Sequence, residues 1–242
     1  MIYVSVSTIP QRIKTISKSI DSLFNQTLKP DKIFINIPNE FRRFKEKIKD
    51  NEIPKFSENV EITRCEDCGP GTKLLGSLNK IDDNSLLILA DDDQIYENFM
   101  IDKLHHFYNK NPNNAYSFYV HPLGKFGIGQ GADGFAINTK HLDGIQDFYD
   151  KIVKDYDELF LYDDLWISYY LYFFKKNKIL SLQELLEIDE FGKRKTIYKS
   201  HTSSSGLISL YGKNINEAVR ERDRKAAICF KYMEEKTKNL KF

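Results

Sequence analysis

Leu86-Leu87-Ile88-Leu89-Ala90 runs straight into Asp91-Asp92-Asp93. The continuous apolar stretch Ser85–Ala90 predicts a central strand covered on both faces, the kind found inside parallel sheets. In open α/β sheets, ligands gather beyond the carboxyl ends of such strands. Adjacent carboxylates at that place repel one another, and burying them unpaired is costly. A divalent cation resolves the conflict. In an extended segment residues i and i+2 share a side, so Asp91 and Asp93 can face one ligand while Asp92 points away. Hard cations such as Mg2+ and Mn2+ take carboxylate oxygens, and Mg2+ commonly keeps substrate phosphates in its shell. The alternative is an acidic turn in which Asp93 caps a helix beginning near Glu97.

Outward from this strand the chain alternates. Ile2–Val6 is a β-branched and aromatic run that predicts a first strand; Lys32–Ile37 and Val60–Thr63 predict two more. Thr8-Ile9-Pro10-Gln11 has capping-box spacing with Pro in the first turn, and Ile13, Ile16, Ile20, Leu23 and Phe24 follow at helical intervals. Thr72–Asn79 reads as a short helix after a glycine-rich turn. The first hundred residues therefore read as alternating strands and helices, which predicts an α/β fold with a largely parallel sheet. Ala115–Val120 and Gly134–Asn138 predict two further strands, and Asp164–Lys176 adds a helix rich in Trp and Tyr. A last helix, about 214–238, carries Ile215, Val219, Ala226, Phe230 and Met233 at helical spacing. With no repeat, low-complexity tract or linker, residues 1–242 read as a single domain.

The balance of 36 Lys+Arg against 35 Asp+Glu gives a net charge of +1, which argues against a protein devoted to neutralising nucleic-acid phosphates. The opening MIYVSVSTIP lacks the basic region of a signal peptide, and the apolar runs fall short of the ~20 residues that cross a bilayer. Three cysteines cannot build a disulfide scaffold, and free thiols fit a reducing cytosol. Cys65 and Cys68 lack the second ligand pair of a zinc site, so they read as incidental. The expected location is cytoplasmic. The basic residues from Lys213 onward also suit peripheral contact with an anionic membrane surface through the C-terminal helix; a helix packed on its own domain is the plainer reading.

Two further segments carry chemistry. In Asp67-Cys68-Gly69-Pro70-Gly71-Thr72-Lys73-Leu74 the glycines let backbone approach a ligand, and a helix start offers free N–H groups to anions. Lys73 near that start opposes the helix dipole unless an anion or a carboxylate lies nearby. Arg12 poses the same puzzle after the first strand, so one anionic ligand across the sheet edge would satisfy both. In Tyr162-Asp163-Asp164-Leu165-Trp166-Ile167-Ser168 the carboxylates precede an apolar helix, either as N-caps or with one as a general base.

In order and spacing these segments resemble the GT-A fold of nucleotide-sugar glycosyltransferases, in particular small bacterial and viral transferases. That group shows T-x-P-x-R, G-P-x-T-K-L, D-D-D-x-x-Y and E-D-D-x-W-I-S. Here they read Thr8-Ile9-Pro10-Gln11-Arg12, Gly69-Pro70-Gly71-Thr72-Lys73-Leu74, Asp91-Asp92-Asp93-Gln94-Ile95-Tyr96 and Tyr162-Asp163-Asp164-Leu165-Trp166-Ile167-Ser168. The resemblance implies a GT-A-like mixed, mainly parallel sheet flanked by helices. It also implies an enzyme that moves a sugar from a nucleotide-diphosphate sugar to a hydroxyl of a glycan or lipid-linked acceptor, inverting the anomeric centre, in surface glycan synthesis.

By the same resemblance, Ser5, Thr8 and Arg12 line the nucleotide pocket with Asp67, Lys73, Asp91 and Asp92, Lys73 contacting the base or diphosphate and Asp91 the ribose. Asp93 and His201 hold Mn2+ or Mg2+. Asp133 and Gly134, in the Gly127–Gly134 stretch, belong to the sugar and acceptor pocket, with Trp166 on the substrate side. Asp163 or Asp164 is the catalytic base, with Asp163 preferred by register. Tyr162 replaces the first acid of the E-D-D motif, which opens the choice between the two. A metal-dependent phosphotransferase or nuclease, and a sugar-nucleotide-binding module without catalysis, are the rival readings.

Overall fold

In a computed structural model of the chain, residues 1–201, 215–240 and 242 are described. The strands are β1 (Ile2–Ser7), β2 (Lys32–Pro38), β3 (Val60–Cys65), β4 (Leu86–Leu89), β5 (Gln94–Tyr96), β6 (Ala115–Ser117), β7 (Val120–Leu123), β8 (Phe126–Gly129), β9 (Phe135–Asn138), β10 (Ile179–Ser181) and β11 (Tyr198–Ser200). The helices are α1 (Ser17–Phe24), α2 (Thr72–Leu75), α3 (Met100–Lys110), α4 (Ile145–Phe148), α5 (Asp157–Phe160), α6 (Asp163–Phe173) and α7 (Ile215–Thr237).

A seven-stranded sheet runs in the order β10-β6-β9-β4-β1-β2-β3. Within it only β9 is antiparallel, against both β4 and β6. That reversal decides where chemistry can gather. Ser5 pairs with Leu89 and Leu89 with Phe135, so the end of β1, the end of β4 and the beginning of β9 are flush. The acids after β4 and the loop before β9 therefore meet at one edge. The four residues of β4 are buried, as a strand covered on both faces requires. Helices α1 and α3 cover one face of the sheet, and α2, α4 and α6 belong with the core cluster on the other.

Several local expectations give way to tertiary context. Residues 10–16 form turns, and α1 begins only at Ser17. Thr8 caps nothing because its buried side chain lies beside Asp92; Ile13, Ile16, Ile20 and Leu23 are nonetheless buried as the periodicity requires. The alternation implies a helix between β2 and β3, but only a single 3-10 turn, Asp50–Glu52, forms there. Phe41, Phe44 and Ile48 recur at helical spacing in the basic run Phe41–Lys49, yet these residues form bends and irregular backbone, with Ile48 buried. Instead of a helix near Glu97, β5 follows the acids and α3 starts at Met100, so Asp93 is not its cap. The stretch Ala115–Val120 splits between β6 and β7.

The last helix is present over Ile215–Thr237; Lys213 and Asn214 lie outside the described residues. Its residues Ala226, Cys229 and Met233 are buried, and Phe230 meets the rings of Phe126, Tyr169 and Phe173. The apolar stripe that a membrane surface would use is thus packed on the protein, leaving an outer face of mixed charge, Arg224 and Lys231 with Glu234 and Glu235. No helix among the described residues is long and apolar enough to cross a membrane. Cys65, Cys68 and Cys229 are free thiols.

Candidate active site

The carboxyl edge of β4 does not continue as an extended segment. Asp92 and Asp93 form a turn, so the expected pairing of Asp91 with Asp93 is not what is found. The i, i+2 rule needs a pleated strand, and the turn rotates Asp92 and Asp93 to the same side. Both meet Arg12, whose Nη1 lies 2.8 Å from Asp92 Oδ1 and whose Nη2 lies 3.0 Å from Asp93 Oδ2. Asp91 faces the other way, toward Lys73, with Nζ 2.5 Å from its Oδ1. The same ammonium stands 3.1 Å from Asp163 Oδ2, at the start of α6. Two cations thus lace together the ends of β1, β4 and α6.

Lys73 is 5% exposed, which a charged side chain tolerates only among carboxylates. Burial opposes its charge, but Asp163 and Asp91 outweigh burial and raise its pKa well above the ordinary lysine value. For Arg12, too, burial opposes and Asp92 and Asp93 prevail, raising the pKa. The backbone holds Lys73 through Ser5. Its hydroxyl donates to the Lys73 carbonyl and meets Ser77, while the Asn36 amide donates to Ser5 Oγ. Ser5 is fully buried, so it positions Lys73 rather than lining a nucleotide pocket.

The acids outnumber the cations, and burial shows in their titration. Burial and then Asp91 push the Asp93 carboxyl up to about 6, and the same two causes push Asp133 up to about 7. Asp92 is raised by burial against the pull of Arg12. Asp163 is raised by burial against Lys73, and Asp164 is raised well above the ordinary value by burial and by Asp163. Asp133 sits in the 3-10 turn Gly131–Asp133, and no side-chain hydrogen bond to it exists among the described residues.

Close packing fixes the floor of this edge. A Cβ on Gly131 would stand 2.6 Å from Lys73 Nζ, and one on Gly71 would stand 2.6 Å from the Trp166 ring. Trp166 is fully buried and its Nε1 has no partner among the described residues, so it supports Gly71 from beneath instead of touching a substrate. Gly134 takes φ +71°, a conformation that glycine favours, as the chain turns into β9. Asp67 accepts from the backbone N–H groups of Gly69 and Arg42. It also borders a cavity of about 580 Å3 at the ends of β2 and β3, along with Cys65, Tyr149 and Phe160.

His201 follows β11, which pairs with β5 and so returns to the acidic turn. Its N–H donates to the Asp93 carbonyl at 3.1 Å, its Nε2 meets Ser19 Oγ at 2.9 Å, and its Nδ1 is buried without a partner among the described residues. Ser19 also donates to the Asp92 carbonyl, tying α1 to both. Asp164 Oδ1 accepts from the Gly131 N–H at 3.0 Å. Asp163 and Asp164 border a smaller cavity, about 150 Å3, with His121, Gln130 and Arg222.

Sequence reasoning missed Ser19, Tyr96 and, in that smaller cavity, His121, Gln130 and Arg222. Ser19 carried a signal, being polar beside Ile16 and Ile20 on the buried stripe of an amphipathic helix. The Tyr96 hydroxyl accepts from Asp91 N at 2.8 Å and reaches the Gly131 carbonyl, joining the acidic turn to the loop before β9. His121, Gln130 and Arg222 come from three separate elements, and no local pattern joins them.

No protein-family model matches the chain, and no curated protein is similar to it in sequence. Solved structures do share its fold. The 2-C-methyl-D-erythritol 4-phosphate cytidylyltransferase of Francisella tularensis superposes with a TM-score of 0.51 at 13% identity, over 84% of this chain and 94% of that one. S. aureus TarS 1–349, solved in complex with UDP-GlcNAc, gives a TM-score of 0.51 at 13% identity, over 98% of this chain and 73% of that one. At such identities the likeness is one of fold: the mixed, mainly parallel GT-A-like sheet with flanking helices and a C-terminal helix.

Proposed function

We propose that the protein is a metal-dependent glycosyltransferase that moves a sugar from a nucleotide-diphosphate sugar to an acceptor hydroxyl with inversion, in surface glycan synthesis. The observation that carries this reading is the pair of cations, half-buried Arg12 and buried Lys73, held on carboxylates at the edge where the ends of β1 and β4 meet the start of β9. An edge of this kind suits a diphosphate, which Arg and Lys recognise by charge-assisted hydrogen bonds. The cavity bordered by Asp67, Cys65 and Tyr149 is the place for the nucleobase.

Mn2+ or Mg2+ fits the donor chemistry at Asp93 and His201. Their backbones are hydrogen-bonded, and the imidazole Nδ1 has no partner among the described residues. No cluster of three or more metal-ligating side chains is assembled among the described residues, so the remaining ligands would come from the substrate, as is usual for Mg2+. When bound, the ion would supply charge neutralisation to the departing diphosphate. Arg12 and Lys73 stabilise the same developing charge.

Of the two carboxylates at α6, Asp164 is the better general base. Asp163 is tied to Lys73, which favours its ionised form and weakens it as a base, whereas Asp164 accepts, among the described residues, a backbone N–H and opens on the smaller cavity. Burial and Asp163 raise its pKa above the ordinary carboxylate range, the direction that strengthens a carboxylate as a base. As the acceptor oxygen bonds to the anomeric carbon, the bond from that carbon to the diphosphate oxygen breaks with its electron pair, and the acceptor proton passes to Asp164.

Incubation with UDP-, GDP-, CMP- and dTDP-sugars and Mn2+ tests the reading. Release of a free nucleoside diphosphate from one donor is expected. Release of pyrophosphate from a nucleoside triphosphate would favour nucleotidyl transfer, inorganic phosphate a phosphatase, and binding without turnover a binding module. Asp164→Asn should keep donor affinity and lose transfer; normal transfer by that variant would return the base to Asp163.

A further inference from the structure

The cavity of about 150 Å3 lies between the start of α6, the β7–β8 hairpin and α7. Its polar groups divide by charge. Asp164 is anchored to Gly131 at the sheet edge, beside Asp163. His121 and Arg222 gather instead around Asp223 of α7: Arg222 Nε and Nη2 each lie 3.0 Å from its Oδ1, and His121 Nε2 lies 3.6 Å away. The His121 Nδ1 is buried without a hydrogen-bond partner among the described residues. Burial and Arg222 lower the His121 pKa, so the neutral imidazole can present a donor at one nitrogen. Ala226, the small residue of α7 in this wall, leaves the space open, and the Tyr162 hydroxyl donates to the Arg222 carbonyl, holding α7 against the start of α6.

We propose that this cavity is the acceptor subsite, and that the acceptor it fits carries an anionic group beside its hydroxyls, as a polyol phosphate does. The inference rests on the glycosyl-transfer reading above. An acceptor hydroxyl reaches Asp164, and the acceptor's anion lies against Arg222 and His121. Reversed, the anion would meet Asp163 and Asp164 in a half-buried place, where like charges repel strongly. A guanidinium edge recognises phosphate or carboxylate, and the Asp223 contact fixes its plane while Nη1 keeps no partner among the described residues. The volume is well under the ~300–1,000 Å3 of drug-sized pockets, which selects one ring or a short polyol.

The test uses the whole chain with labelled Ile and Ala methyl groups, read by NMR at Ile128 and Ala226 in the cavity wall. The probe is glycerol 3-phosphate, with glycerol and inorganic phosphate as controls. Saturable shifts of both methyls with glycerol 3-phosphate, and none with glycerol at the same concentration, are expected. Arg222→Gln should weaken that binding at least tenfold and Arg222→Lys should recover part of it, with the remaining methyl spectrum unchanged as proof of folding. Equal shifts from glycerol, shifts confined to Ile13 and Ile16 near Arg12, or an unchanged affinity in Arg222→Gln would overturn the proposal. Micelles of short-chain phosphatidylglycerol present the same group on a lipid; tighter binding there would assign a lipid-borne acceptor, weaker binding a soluble one. Donor turnover is scored separately. If a nucleoside diphosphate is released while the cavity ignores the probe, only the acceptor class falls; if no donor is turned over, the transferase reading itself fails.

Discussion

Asp133→Asn should make the protein more stable, and only at the pH values where the wild type holds a charge there. Asp133 is 6% exposed, has no side-chain partner among the described residues, and faces the field of Asp91. Burial, then Asp91, lifts its carboxyl from 3.8 to about 7. A folded-state pKa above the unfolded one means that the unfolded chain releases its proton first as pH rises. Stability is therefore full below 3.8, falls between 3.8 and about 7, and stays reduced above that. At 1.36 kcal/mol per pH unit the span gives an upper bound of roughly 4 kcal/mol. Relaxation of the loop will lower it, but a gain above about 1 kcal/mol should survive. Urea unfolding of wild type and variant at pH 4, 6 and 8 reads the effect directly. The variant's advantage should be near zero at pH 4 and largest at pH 8. A constant difference across pH, or a variant less stable at pH 8, would refute the account of Asp133 as an uncompensated buried acid.

Three other substitutions test the ionic frame and its packing. Arg12→Ala removes the cation bound to Asp92 and Asp93, so Mn2+ without nucleotide should bind severalfold more tightly while nucleotide diphosphate binds more weakly; calorimetry measures both, and an unchanged or weaker Mn2+ affinity would show that Arg12 does not compete. Lys73→Met leaves Asp91 and Asp163 without their counter-ion, which should cost about 3–5 kcal/mol at pH 8 and less near pH 4; equal loss at both pH values in denaturant melts would contradict this. Gly71→Ala drives a methyl to 2.6 Å from the buried Trp166 ring, so about 1–3 kcal/mol of stability should be lost, and an unmoved unfolding midpoint would mean the ring can yield.

How far the fold could be read in the sequence follows from where each signal lay. Leu86–Leu89 needed no partner to declare itself, because a strand buried on both faces is apolar at every position. Its place beside β1 and β2 followed from the alternation of elements. The β2–β3 connection departs from the expectation because alternation is a rule about topology, and a crossover can be made by loop even where Phe41, Phe44 and Ile48 recur at helical spacing. Arg12, Lys73 and the acids were legible as a group, since charges next to strand ends and helix starts demand an explanation. Their pairing was not, because it depends on a turn at Asp92–Asp93 that no local residue type enforces. The resemblance implies substrate contact for Ser5 and Trp166, yet both lie beneath the contact surface, where burial is decided by neighbours far along the chain.

The frame of ion pairs also constrains where binding energy can come from. Arg12 and Lys73 are each already bound to two carboxylates, so a diphosphate arriving at this edge exchanges one ion pair for another. Such an exchange leaves Asp91 or Asp93 short of a partner in a place with little water, and its net gain is small even though each new contact is strong. Charge at the edge can therefore orient the diphosphate and stabilise it as it departs without supplying much of the donor's affinity. On the proposed reading, that affinity has to come from the cavity of about 580 Å3 at the ends of β2 and β3, where Asn39, Arg42 and Asp67 offer polar recognition. The division suits catalysis, because groups that gain little from the ground state are free to act on the charge that develops in the transition state.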